Sequence, residues 1–177
     1  KTQAELVAKY EARVLALANA HRLITEGGWK SASLMELLNT LLTPHLDRMT
    51  FTGPNVFLEP DATFGLSMAV HELVTNAAKY GALSTQAGRV RVNWRWRTNG
   101  TPHGRLVVEW QEIGGPRVSA CHPSGYGTSV IRELLPYELG GQVDLAFAPD
   151  GVRCRLEIPA EWIDAGQPKS PIAALTT

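Results

Sequence analysis

Residues 66–84 read LSMAVHELVTNAAKYGALS. Leu66, Val70, Leu73, Val74 and Ala77 recur at the spacing of one helical face, which predicts a helix with that face in the core. Glu72, Asn76 and Lys79 follow at i, i+4 and i+7 and share a stripe on the other side. An ordinary solvated stripe has no need of an Asn in a helix interior, where its propensity is poor. A carboxylate and a carboxamide one turn apart can jointly hold a hydrated Mg²⁺ on phosphate oxygens, because that ion takes oxygen ligands and keeps several waters. Lys79 can then meet a phosphate. His71-Glu72 also begins an H-E-x-x-H zinc-protease pattern, but the position of the second His is Thr75, so that chemistry is excluded.

Working outward, residues 3–26 are predicted to be a helix from Leu6, Tyr10, Val14, Leu17, Leu23 and Ile24, stopped by Gly27-Gly28. Ser33 with Glu36 three residues later is a capping box for a second helix that ends at Pro44. A short strand is expected over Asn55–Leu58, and Asp61 is expected to cap a third helix that runs through about Tyr80 and is closed by Gly81. Downstream, Val90, Val92, Trp94 and Trp96 alternate with Arg89, Arg91, Asn93, Arg95 and Arg97, the period of a strand with one wet face. No aromatic platform shares the arginine face, so a solvated sheet surface is preferred to a nucleic-acid patch. Leu106–Gln111 is a further strand, 128–139 a helix, and Val143–Phe147 and Val152–Ile158 a hairpin turned at Pro149-Asp150-Gly151. The expected fold class is α+β: a mixed, mostly antiparallel sheet with helices on one face, preceded by a long helix.

Two more segments carry candidate chemistry. Gly125-Tyr126-Gly127-Thr128-Ser129 opens a helix, where free N–H groups and the positive dipole end suit an anion; the plainer reading is a turn with Thr128 as N-cap. Trp110-Gln111-Glu112-Ile113-Gly114-Gly115-Pro116 places a carboxylate at a strand end before two glycines. A carboxylate only accepts hydrogen bonds, so Glu112 would select an exocyclic amine such as that of adenine; a surface Glu before a turn is the alternative. No G-x-x-x-x-G-K-[ST] run is present, which excludes a Walker-type site.

Composition narrows the class. The 177 residues carry 17 Lys+Arg against 17 Asp+Glu. With no net charge, nothing favours polyanionic nucleic acid or an anionic membrane. No apolar run reaches the length of a bilayer span, so no direct membrane insertion is expected. Cys121 and Cys154 form no C-x-x-C pair, and two idle thiols in a reducing, cytoplasmic setting are preferred to a disulfide. The chain begins at Lys1 and is expected to be a segment of something longer.

The three elements in this order, helix with Glu-x-x-x-Asn, strand ending in carboxylate-x-Gly, then Gly-x-Gly before a helix, resemble the ATP-binding domain of sensor histidine kinases, gyrase-type ATPases and Hsp90-like chaperones. HELVTNAAKYGALS, WQE and GYGTSVI look more closely like the HWE family of histidine kinases, named for residues that stand here as His71, Trp110 and Glu112. The resemblance runs from about Ala4 to Ile158 and takes in ARVLALANAHRLI and LLNTLLTPH.

That resemblance implies ATP and Mg²⁺ as cofactors. Asn76 matches the Mg²⁺-binding Asn, and Glu72 the acidic residue that orients or deprotonates groups around the γ-phosphate. Lys79 and Tyr80 match positions near the phosphates and base, and Glu112 stands for the adenine-reading Asp of most histidine kinases. Gly114 belongs to the first glycine box, Gly125, Gly127 and Thr128 to the second, with Pro116–Ser124 as a short lid. Residues 1–28 would be the last helix of the dimerisation and phosphotransfer hairpin, 29–162 the catalytic domain and 163–177 a flexible tail. His21-Arg22 does not continue the family's acceptor motif, so the acceptor histidine is expected upstream of Lys1. The implied partners are an upstream sensor domain in the same parent chain, a response regulator and a second copy paired through the first helix. The alternative is an anti-sigma-like regulatory module that binds ATP and a partner without transferring phosphate.

Overall fold

In the computed structural model, residues 3–26, 28, 31–98, 104–117 and 126–164 are described. Helix α1 is Gln3–Glu26, followed by strand β1 at Ala32–Ser33, helix α2 at Leu34–Leu42, strand β2 at Met49–Thr52 and strand β3 at Phe57–Leu58. Helix α3 spans Pro60–Lys79, strands β4 and β5 span Arg89–Arg97 and Arg105–Ile113, and helix α4 spans Tyr126–Leu139. Strands β6, Gln142–Ala148, and β7, Gly151–Pro159, then β8, Ile163–Asp164, complete the order.

The alternation in β4 does what the period of two requires. Val90, Val92 and Trp94 are buried while Arg89, Arg91, Asn93 and Arg95 are exposed. β4 pairs antiparallel with β5 over its whole length, Arg89 opposite Ile113 through Arg97 opposite Arg105. β5 pairs with β7, and β7 with β6 across the hairpin. Gly151 turns that hairpin at φ 139°, a backbone region open to glycine and strained for other residues. The sheet order is β2-β4-β5-β7-β6, with β2 parallel to β4 and every other pair antiparallel, the mixed sheet expected. Helices α2, α3 and α4 supply the apolar layer over it, through residues such as Leu37, Leu38, Leu66, Leu73, Ile131 and Leu135, all under 3% exposed. Each such side chain removed from water contributes roughly 1.5–3 kcal/mol.

Several local expectations change. The N-cap of α3 is Glu59, with Pro60 at the first helical turn, so Asp61 lies inside the helix. Proline needs no N–H partner there and its fixed φ suits the position, while Asp61 still faces the positive dipole end. Helix α4 starts at Tyr126, which moves Thr128 from the cap into the first turn. Ser33 does cap α2, its hydroxyl accepting from the Glu36 amide at 3.4 Å. After α2 the chain continues as a 3₁₀ turn, Thr43–Arg48, with Pro44 at its start.

The expected strand over 55–58 is only Phe57–Leu58, and it belongs to a second sheet of order β1-β3-β8. Ile163–Asp164, placed in the tail from sequence, pair there with Leu58 and Phe57. The Trp162 indole donates to the Leu139 carbonyl at 3.0 Å, tying this end of the chain to α4. Trp96, expected in the core, is 38% exposed. The face of α1 also differs from the expected stripe. Ala16, Ala20, Leu23 and Ile24 are buried, while Val14 and Leu17 are exposed, because α1 packs on α2 and α3 through small residues.

Candidate functional site

The chemistry-bearing half of α3 runs from buried to open. Glu72, expected on a polar stripe facing away from the core, is 2% exposed. His71, Thr75 and Asn76 are half-buried, and Lys79 and Tyr80 are exposed, Tyr80 at 64%. The stripe therefore enters the fold at its N-terminal end, and only its last turn faces outward. The helix closes at Tyr80, whose amide donates to the Asn76 carbonyl at 2.8 Å, and the Gly81 amide reaches the same carbonyl at 3.1 Å. Asn76 thus ends α3 through its backbone, leaving its carboxamide to other partners.

Beyond Gly81 the chain makes a short 3₁₀ turn, Ala82–Ser84, and this turn gathers the site. Glu112, at the end of β5 and on its core-facing side, is 4% exposed rather than a surface residue. Its Oε2 accepts from the Ala82 amide at 2.8 Å and its Oε1 from the Trp110 indole N–H at 3.4 Å. Burial pushes the Glu112 carboxyl above its ordinary value of 4.5, and those two hydrogen bonds offset part of the effect. Gly81 is required by this contact: a Cβ there would lie 2.0 Å from Glu112 Oε2 and 2.9 Å from the Ala77 Cα.

The glycines after Glu112 lie against the same turn. Gly114 adopts φ 74°, in the left-handed region, and its carbonyl accepts from the Thr85 hydroxyl at 3.0 Å. A Cβ on Gly115 would lie 2.8 Å from the Ala82 backbone. From the other side the Arg48 guanidinium donates to the carbonyls of Leu83 at 3.1 Å and Thr85 at 2.9 Å. Sequence reading did not find Arg48. It precedes the short strand β2 and joins no motif, so nothing local signals that it holds the turn.

The fold therefore brings together Asn76, Tyr80, Glu112 and Gly114 around the Ala82–Ser84 turn. Gly127 and Thr128 lie in the first turn of α4, which packs against α3. Gly125 lies outside the described residues, as does most of the expected lid. Cys154 is buried in the core, where burial pushes its thiol up to about 12; Cys121 lies outside the described residues. No helix is long and apolar enough to cross a membrane among the described residues.

Residues 1–55 match the HWE histidine kinase family. A blue-light-activated histidine kinase of Rhizobium johnstonii is 33% identical over 149 residues, 84% of this chain and 42% of the relative. Blue-light-activated histidine kinase 1 of Erythrobacter litoralis is 35% identical over 164 residues, 88% of this chain and 44% of the relative. The chain is similar to HWE histidine kinases in its first 55 residues and to blue-light-activated histidine kinases over more than four fifths of its length. His71, Trp110 and Glu112 are the residues by which its sequence resembles that family, and two of the three meet in the buried pair at the end of β5. The chain spans less than half the length of these curated relatives.

Solved structures agree on the fold. The histidine kinase domain of a blue-light activated histidine kinase from Erythrobacter litoralis superposes with a TM-score of 0.65 at 17% identity, over 85% of this chain and 74% of that one. The Acinetobacter baumannii histidine kinase AdeS matches with a TM-score of 0.58 at 12% identity, over 89% of this chain and 80% of that one. At these identities the likeness is one of fold, the α+β layer of histidine kinase catalytic domains.

Proposed function

We propose that this chain is the ATP-binding catalytic part of a sensor histidine kinase, and that it transfers the γ-phosphoryl group of ATP to a histidine supplied from outside the chain. The observation that carries the reading is the buried Glu112 carboxylate against the turn that closes α3. A carboxylate oxygen that accepts one N–H keeps a second lone pair, so Glu112 retains acceptor capacity for an exocyclic amine. Gly81 and Gly115 let that carboxylate and the Ala82 backbone pack closely, which holds Glu112 against the turn.

When bound, Mg-ATP supplies the phosphoryl group and the metal charge that neutralises it. Asn76 offers its carboxamide oxygen to Mg²⁺, a hard cation satisfied by few protein ligands. Lys79 and Tyr80, exposed at the end of α3, meet the phosphates and the base. Gly114 brings backbone close to the base, and the amides of Gly127 and Thr128 at the start of α4 meet phosphate oxygens, with Gly125 of the same sequence motif assigned to the phosphates by the resemblance alone. Glu72, one turn before Asn76, orients or deprotonates groups around the γ-phosphate. Positioning and charge neutralisation are the main requirements of such a transfer. The phosphate then passes to a response regulator, in a cytoplasmic protein with its sensor domain upstream. The exposed Val7, Val14, Leu15 and Leu17 of α1 are the apolar surface through which a second copy would pair.

Titration with a fluorescent ATP analogue in the presence of Mg²⁺ tests the reading. Asn76→Ala is expected to abolish Mg²⁺-dependent binding with the circular dichroism spectrum unchanged; an unaltered titration refutes the site. The chain is further expected to phosphorylate an added fragment bearing the acceptor helix while forming no phosphohistidine itself. Acid-labile phosphate on the isolated chain would point to His21 instead.

A further inference from the structure

We propose that Trp110 and Gly81 are positioning residues for Glu112, and that together they set a preference for 6-amino over 6-oxo purines. The inference rests on the reading that Glu112 accepts from the adenine amine. Trp110 is 2% exposed, between Val92 and Cys154 on the neighbouring strands, and a Phe there would fill the same layer. What Phe cannot do is donate. The indole N–H is directed at Glu112 Oε1 at 3.4 Å, two residues along the same face of β5. Buried at 4% exposure, the Glu112 carboxylate has lost most of its water, and an ionised carboxylate in that setting needs fixed donors.

Two donors from separate elements meet it, one on each oxygen. Ala82 N–H holds Oε2 at 2.8 Å from the turn after α3, and Trp110 holds Oε1 from within the sheet. Together they fix both the rotation of the carboxylate plane and the lone pairs left over. Gly81 is the third component, because any Cβ there would stand 2.0 Å from Oε2 and push the carboxylate off the Ala82 amide. An acceptor-only group held in one orientation attracts the amine of adenine and repels the carbonyl of a 6-oxo purine. If it is free to rotate or to take up a proton, much of that distinction is lost.

Affinities of the full chain for ATP and for inosine triphosphate, with Mg²⁺, test this in wild type, Trp110→Phe, Glu112→Ala and the double variant. Trp110→Phe is expected to weaken ATP about fivefold to tenfold and inosine triphosphate by less than about twofold, the range of one modest hydrogen bond. In the Glu112→Ala background the same substitution is expected to change ATP affinity by less than about twofold, since its effect runs through Glu112. Equal losses for both nucleotides, undiminished in the Glu112→Ala background, would make Trp110 a packing residue and overturn the proposal. Should Trp110→Phe not fold, Gly81→Ala leaves the indole in place and is expected to shift the same ATP-to-inosine ratio; a folded Gly81→Ala chain with the wild-type ratio overturns it.

Loss of the adenine reading is distinguishable from loss of the positioning role. Glu112→Ala with unchanged ATP affinity refutes the reading of Glu112. The positional hold is then judged in the ligand-free chain by hydrogen exchange at the Ala82 amide. Exchange at least about tenfold faster in Trp110→Phe than in wild type supports the hold, and an unchanged rate overturns it.

Discussion

Replacing Glu112 by Gln makes the buried carboxyl's proton binding visible as stability. Burial is the larger influence on this group and the hydrogen bonds from Ala82 and Trp110 the smaller, so its folded pKa lies above the ordinary 4.5. For an acid raised in this way the native state binds the proton more tightly than the unfolded chain. Its contribution to stability is therefore full below the unfolded value and lost as pH rises through the folded value. Gln does not titrate. At acid pH the protonated carboxyl can still accept from both N–H groups, whereas a carboxamide has one acceptor oxygen for the two, so the variant is expected to be less stable than wild type there by about 1–3 kcal/mol. As pH rises the variant gains on wild type, by about 1.4 kcal/mol for every unit by which the folded pKa exceeds the unfolded one. At 4% exposure solvent screening does little to reduce this. Urea unfolding of both chains between about pH 4 and about pH 8 gives the difference directly. A difference that moves the other way with pH, wild type gaining as the carboxyl ionises, would mean the two donors outweigh burial and would refute this account.

Other outcomes follow from the same geometry. Arg48→Ala removes a guanidinium that donates to the Leu83 and Thr85 carbonyls, and is expected to cost about 1–3 kcal/mol in urea unfolding and to weaken ATP binding through the loosened turn; a stability unchanged within about 0.3 kcal/mol would show that the turn holds itself. Cys154, buried with its thiol pushed up to about 12, is expected to resist iodoacetamide at neutral pH in the native chain and to react once urea unfolds it. Peptide mapping follows Cys154 separately from Cys121, and rapid native labelling of Cys154 would contradict its burial.

Legibility from sequence followed the strength of each periodic signal. The helices over residues 3–26 and 60–79, the alternation of β4 and the β6–β7 hairpin were readable because apolar residues repeat for many turns or pairs. Strand β2 was not. In Met49–Thr52 only Met49 and Phe51 alternate, and the segment is a strand because β4 offers it a parallel edge. The two-residue strands β1 and β8 are likewise defined by their partner β3. The stripe Glu72, Asn76, Lys79 was correctly grouped by helical geometry, yet spacing could not say that Glu72 points into the fold. Which side of a stripe is buried depends on what packs over it.

The sequence by itself determined the α+β class and the likeness to histidine kinases, and it nominated the candidate site residues, because these follow from periodicity and from residue types in a fixed order. Only the tertiary structure decided what those residues do to one another. Trp110 and Glu112 are two positions apart on a strand and Ala82 is thirty residues before Glu112, and no spacing rule joins all three. They meet because β5 lies antiparallel to β4 and ends beneath the turn that closes α3. Burial then makes the candidate base-reading carboxylate one that must be held by donors from two separate elements.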